Sequence, residues 1–280
     1  MNAVSLSAGV LSTLISHPFE FLKMKTFLIN EGIGITGRGF NMGYNPFTIY
    51  DNFLNRGYGS RVLYTGLSSA LVSRVAFLFG RNNAYKLIYD QMKPHKKNND
   101  LLYIEKGAIS GVSSIVGSIL SNYSMVKFVR QVGDIGRKPQ FHRAAEPFRW
   151  NHGFLPYALR MFLLNTFLIW PYNSANEKLY VLCGDVISNR IFATLFAAGI
   201  GTLISVPIDA IRTRIQYMSS NPKLNRMQYK NLFDCIVQMG KNEGMYTFLA
   251  GMKVAYVHMV VYTLSTIYLC DLFVDSLKSK

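Results

Sequence analysis

Six stretches rich in apolar residues, at roughly 3–29, 62–92, 101–129, 154–183, 187–217 and 245–277, alternate with polar connectors along the 280-residue chain. Each reaches the length of about 20 residues that a membrane-spanning helix requires. The pattern predicts an all-α membrane protein with six transmembrane helices. Arg and Lys interrupt several of the stretches, and charges facing an internal cavity are the usual way a bundle tolerates them.

Local signals refine this picture. Pro18 and Pro207 fall inside apolar stretches, where a proline removes a backbone donor and bends the helix. The third stretch opens with Gly107-Ala108-Ile109-Ser110-Gly111, a small-residue spacing that lets membrane helices approach closely, and is expected to end at Asn122–Lys127. The run Gly32, Gly34, Gly37, Gly39, Gly43 predicts a loop. Asn45-Pro46 suits the start of a short helix, and Gln228 to Lys241 predicts a short amphipathic one.

Charge adds an orientation. Lys and Arg number 30 against 15 Asp and Glu, a formal net charge of +15. The cations concentrate between spans 1 and 2, 3 and 4, and 5 and 6, for example Arg38, Arg56 and Arg61; Arg137, Lys138, Arg143 and Arg149; Lys223, Arg226, Lys230 and Lys241. Loading one side of a membrane in this way fits the orientation rule and anionic headgroups. It does not form the basic patch on a soluble domain that nucleic-acid binding requires.

Candidate chemistry is sparse. Cys183, Cys235 and Cys270 lie far apart without metal-ligand or disulfide spacing, so no metal or cofactor is expected. His95, His142 and His152 sit in polar connectors. The glycine run lacks the order of a phosphate loop, and no catalytic constellation marks an enzyme. No basic, short apolar and cleavable leader is visible at the start, so targeting information is expected to be internal.

Self-similarity is the stronger signal. Pro18-Phe19-Glu20-Phe21-Leu22-Lys23 and Pro207-Ile208-Asp209-Ala210-Ile211-Arg212 place proline, acid and base at identical offsets. Pro18, Asn122 and Pro207 mark the odd helices, and Gly66, Gly153 and Gly251 the even ones. The spacing gives three units of roughly 95 residues, approximately 1–95, 96–184 and 185–280. With Tyr64 and Gly66 in the first unit and Glu243-Gly244 and Gly251 in the third, the chain resembles the mitochondrial carrier family across essentially its whole length.

That resemblance implies six helices in three pseudo-symmetric helix–loop–short helix–helix repeats around a central cavity, spanning the mitochondrial inner membrane. It also implies that the acids and bases after the three prolines pair cyclically and close the matrix side. Carried over, Glu20 would pair with Lys127, and Asp209 with Lys23. Arg212 would meet the acid of the second repeat, where the chain has Asn122-Tyr123-Ser124 and keeps only Lys127; Ser124, water or Asp134 is left to stand in. A second closure is expected from an aromatic–acid–x–x–base motif farther along the even helices. Those acid positions fall near Lys86, Asn173 and Asp271, and Asp90-Lys93 and Asp275-Lys278 lie a turn later. Substrate contacts are implied two helical turns past each glycine, at Ser73-Arg74, Arg160-Met161 and His258. A lone histidine in a helix is more often a structural hydrogen-bonded group. Two buried guanidiniums favour carboxylate or phosphate.

Two functions from different classes follow. One is a transporter that alternates access for a small anionic solute, in contact with anionic, cardiolipin-like lipid. The other is a transport-inactive carrier fold serving as an accessory subunit among other membrane-protein subunits. The intact proline motifs favour the first, and the incomplete second repeat and outer closure favour the second.

Overall fold

The computed structural model describes residues 2–29, 48–51, 57, 59–92, 102–135, 144, 146–183, 187–218, 229–249 and 251–278. Its six long helices are α1 (Asn2–Ile29), α2 (Leu67–Met92), α3 (Tyr103–Asp134), α4 (Phe154–Cys183), α5 (Ile187–Tyr217) and, after the short α6 (Leu232–Glu243), α7 (Met252–Lys278). Short 3₁₀ turns at Ser60–Tyr64 and Met245–Leu249 precede α2 and α7. At a rise of 1.5 Å per residue the long helices run about 39–48 Å, enough to cross the hydrocarbon layer.

Three stretches, Ser60–Met92, Ser188–Tyr217 and Met245–Ser276, are apolar enough to cross a membrane by length and composition. Helices α1, α3 and α4 are as long but bury polar side chains: Ser12, Ser16 and His17; Ser113, Ser114, Ser118 and Ser121; Arg160 and Asn165. In α3 these hydroxyls donate back to carbonyls of the preceding turn, Ser113 to Ile109 at 2.6 Å and Ser118 to Ser114 at 2.7 Å. Back-bonding of this kind satisfies a buried hydroxyl without a partner helix. Gly107 and Gly111 bring α3 against the Thr166 turn of α4, the close approach that their spacing predicts.

Helices adjacent in this series pack side by side, and α7 returns to pack on α1, so the six form a closed ring. The alternate members α1, α3 and α5 also touch one another across the ring. Their C-terminal ends converge there and form a floor. Gly66, Gly153 and Gly251 stand immediately before or within two residues of the start of α2, α4 and α7, all with left-handed φ (79°, 61° and 79°). A Cβ at Gly153 would lie 2.5 Å from Gln216 Cγ, and one at Gly66 would lie 2.8 Å from Phe128. Glycine thus solves two problems there, an unfavourable φ and a close approach.

Two boundaries differ from expectation. Helix α3 continues past Lys127 to Asp134, as α1 and α5 continue past Pro18 and Pro207 to Ile29 and Tyr217. The short helix begins at Leu232 rather than Gln228, since Asn231 caps it by accepting the Asp234 amide at 2.9 Å. The glycine run 32–43 and the Asn45-Pro46 start lie outside the described residues.

Candidate solute cavity and its floor

Proline motifs at the ends of α1 and α5 set the floor. Lys23 Nζ lies 3.0 Å from Asp209 Oδ2. Arg212 Nη2 reaches Oδ1 of the same carboxylate at 2.7 Å, and Arg160 Nε, from α4, reaches it at 3.0 Å. All four side chains are buried. One carboxylate therefore holds three cations from three helices, which leaves Arg212 Nε and Nη1 without an acceptor.

Glu20 is buried nearby, 3.9 Å from His258 Nε2, and does not meet Lys127. The expected Glu20–Lys127 pair is corrected on this point: Lys127 is exposed on the outer face of α3. The buried positions of α3 at this level are Met125, Val126, Phe128 and Val129. The expectation for Arg212 is corrected too. It takes Asp209, three residues back on its own helix, instead of Ser124, which is half-buried. Asp134 instead accepts from Tyr217 Oη at 3.2 Å and from the Ala144 amide at 2.7 Å.

Where α3 lacks the charged motif, amides and carbonyls tie the floor. Asn122 Nδ2 donates to Trp150 O (2.7 Å) and His152 O (3.2 Å), and its Oδ1 accepts from Gln216 of α5 (3.1 Å). Arg130 donates to Gln216 O in the last turn of α5 and to Met218 O just past its end, and its guanidinium lies 4.6 Å from the Phe148 ring centroid. Lys25 of α1 donates to Gly133 O and, at 2.8 Å, to Ile135 O at the end of α3. Cations suit helix C-termini because the final carbonyls have no intrahelical donor and carry the negative end of the dipole. Neither Lys25 nor Arg130 lies in the last turn of its own helix, and which helix end each cation reaches follows from the ring. Beside the floor, Arg214 grips Glu243 with two bonds of 2.6 and 2.7 Å.

His152, in the turn before α4, is held below the usual imidazole value, first by burial and then by the Arg130 charge.

Above the floor is a cavity of about 80 Å³, room for several waters. Arg74, Arg160, Met161 and His258 all line it, together with Glu20 and Arg81. Arg74 lies over the Tyr262 ring at 4.4 Å. Counted with the floor, Lys23, Arg74, Arg81, Arg160 and Arg212 face Glu20 and Asp209, five cations against two carboxylates.

The described outer-closure candidates, Asp90, Asp271 and Asp275, do not line this cavity. Asp90 and Asp275 are exposed. Asp271 pairs with Arg190 of the neighbouring helix α5 at 2.9 Å, both partly exposed, rather than with a base one turn along α7. Lys93 and the Lys278 side chain lie outside the described residues.

Comparison with known proteins gives concordant matches. The family profile described as mitochondrial carrier protein matches residues 185–280. The chain is 26% identical to a probable mitochondrial 2-oxoglutarate/malate carrier protein of Dictyostelium discoideum, over 92% of this chain and 84% of that one. It is 24% identical to the mitochondrial 2-oxoglutarate/malate carrier protein of Caenorhabditis elegans, over 95% and 88%. A macronuclear solute carrier homolog of Oxytricha trifallax is 25% identical, over 87% and 69%.

Proposed function

We infer that this chain, a member of the mitochondrial carrier family, exchanges a small dicarboxylate across the mitochondrial inner membrane by alternating access. The observation that carries this is the charge excess around the cavity and floor: five cations and two carboxylates leave three positive charges for a ligand to meet. An unpaired charge buried at membrane depth is costly, so a dianion entering the cavity offsets a standing penalty. The names of the relatives agree with this class, since two of them are 2-oxoglutarate/malate carriers.

The ring supports a carrier mechanism as well. Its floor is tied at every junction between α1, α3 and α5, whereas the charged candidates for the outer closure stand apart from the cavity. Alternation requires two closures of comparable free energy, because a bias of a few kcal/mol leaves one state dominant. We therefore assign the chain a strong matrix-side closure and a weak outer one. The shared left-handed glycine before each of α2, α4 and α7 favours the three-repeat division 1–95, 96–184 and 185–280. The basic connectors suit anionic, cardiolipin-like headgroups.

The test is exchange in proteoliposomes. Labelled 2-oxoglutarate should enter malate-loaded vesicles faster than vesicles without protein, and Arg74→Ala should abolish the difference. Absence of exchange, with the native protein co-migrating in a larger membrane complex, would replace transport by the accessory-subunit role.

A further inference from the structure

A structural histidine is expected to commit its ring nitrogens to hydrogen bonds, and His258 of α7 does not. It is 2% exposed, and neither Nδ1 nor Nε2 has a protein hydrogen-bond partner. A buried polar group left in this way costs free energy and calls for a reason. The ring stacks on Tyr262, about one turn along the same helix, with centroids 6.4 Å apart. Packing therefore sets its plane and leaves both nitrogens uncommitted beside the cavity that it lines.

Nε2 faces Glu20 Oε2 of α1 at 3.9 Å, too long for a hydrogen bond and short enough for an ion pair. Glu20 is the one carboxylate among the residues that line the cavity. The other charges around this pair come from the neighbouring helices. Lys23 of α1, Arg74 of α2 and Arg160 of α4 act on the imidazole, and Lys23, Arg74 and His17 act on Glu20. Arg81 lies about two turns farther along α2. Tyr157 of α4 is bonded to Ser121. Asp209 and Arg212 of α5 hold each other in the floor at 2.7 Å. Helix α3 contributes Met125 to the lining, which carries no charge.

Charge balance links this pair to a solute. Without one, a proton on His258 adds a sixth cation to the five that already face two carboxylates. A dianion bound at the arginines cuts the positive excess from three to one. A proton is then accommodated, and the base free to accept it is the imidazole whose nitrogens have no other bond.

We propose that His258, with Glu20 as its counter-ion, takes up one proton together with the solute anion, so that the carrier moves anion and proton as a unit. An O–H bond of hydronium or a buffer acid breaks as an N–H bond forms on the imidazole. Both nitrogens then carry hydrogen, with Nε2–H toward Glu20, and a small side-chain movement closes the gap. The proton returns to water when the anion departs. Linkage is reciprocal: an anion that favours the proton is favoured by it to the same factor. The proposal rests on the anion-carrier reading above.

The experiment uses the full-length protein in detergent with 2-oxoglutarate as the probe. Calorimetric titrations near neutral pH, in two buffers of different ionisation enthalpy, give the protons taken up per anion bound. The probe is fully ionised there, so any proton taken up goes to the protein. Wild type is expected to take up about one proton per anion, with affinity falling up to about tenfold per pH unit toward alkali. His258→Gln keeps a polar side chain that cannot hold the proton, so uptake should vanish and the pH slope flatten in the binding that remains. Glu20→Gln removes the counter-ion and should lower the uptake; it decides the matter if His258→Gln does not bind. Wild-type binding without proton uptake overturns the proposal alone. So does uptake retained in full by His258→Gln or, where that variant does not bind, by Glu20→Gln. Wild-type protein that neither binds nor exchanges 2-oxoglutarate overturns the carrier reading with it.

Discussion

Arg160 Nε of α4 lies 3.0 Å from Asp209 Oδ1 of α5, so a residue placed to grip a solute anion is already gripped by the floor. Among the described residues, Asp209 is the carboxylate in ion-pair contact with Lys23, Arg160 and Arg212. Asp209→Asn removes the carboxylate that those three cations contact. Removing one partner of a buried pair costs about 3–5 kcal/mol, and the loss should appear as a lower melting temperature. The same variant frees Arg160, so 2-oxoglutarate should stabilise it by a larger shift than wild type.

The two polar positions at the end of α3 should behave oppositely. Asn122→Leu orphans the carbonyls of Trp150 and His152 and the amide of Gln216, each costing about 1–3 kcal/mol if buried and unmet. Lys127→Ala, on the outer face, should stay within about 0.5 kcal/mol of wild type. Thermal melts of the two proteins decide between an amide-tied and an ion-paired second junction, since the latter predicts a large loss for Lys127→Ala.

Gly153→Ala tests the floor from the loop side. Its φ of 61° and the Gln216 contact at 2.5 Å leave no room for a Cβ. The strain of the left-handed conformation is about 1–2 kcal/mol, and the clash adds to it. Gly57→Ala has the same sign of φ with nothing within 4 Å, so it isolates the conformational part in a chemical or thermal melt.

Acid should weaken the second junction through His152. Its folded value lies below the ordinary imidazole value of about 6.5, from burial and Arg130. Between those values the unfolded chain binds more protons than the folded one, so stability falls as pH drops below about 6.5 and through the folded value. Above that range the contribution is flat. Melting temperature against pH should show this slope in wild type, and His152→Gln should make it shallower.

The hydrophobic pattern made six long helices legible, and the family resemblance carried by the two proline motifs implied the Lys23–Asp209 pair that the structure contains. Side-chain direction was harder. Position 127 looked like a gate cation because its offset from Asn122 copies the other motifs. Whether it faces inward depends on which face of α3 packs on the ring, and position 127 falls on the exposed face. Arg81 was hidden for another reason: its guanidinium crosses to Asn165, a residue 84 positions away, and no local spacing encodes that crossing. Asn122 and Arg130 were equally opaque, since their acceptors are main-chain atoms that every residue carries.

Lys25 fastens α1 to the last carbonyls of α3. Backbone oxygens cannot be deleted by exchanging one amino acid for another, so that seam is buffered against substitution along α3. An engineer can rewrite much of the third helix and still find its end latched, provided the helix itself keeps its length.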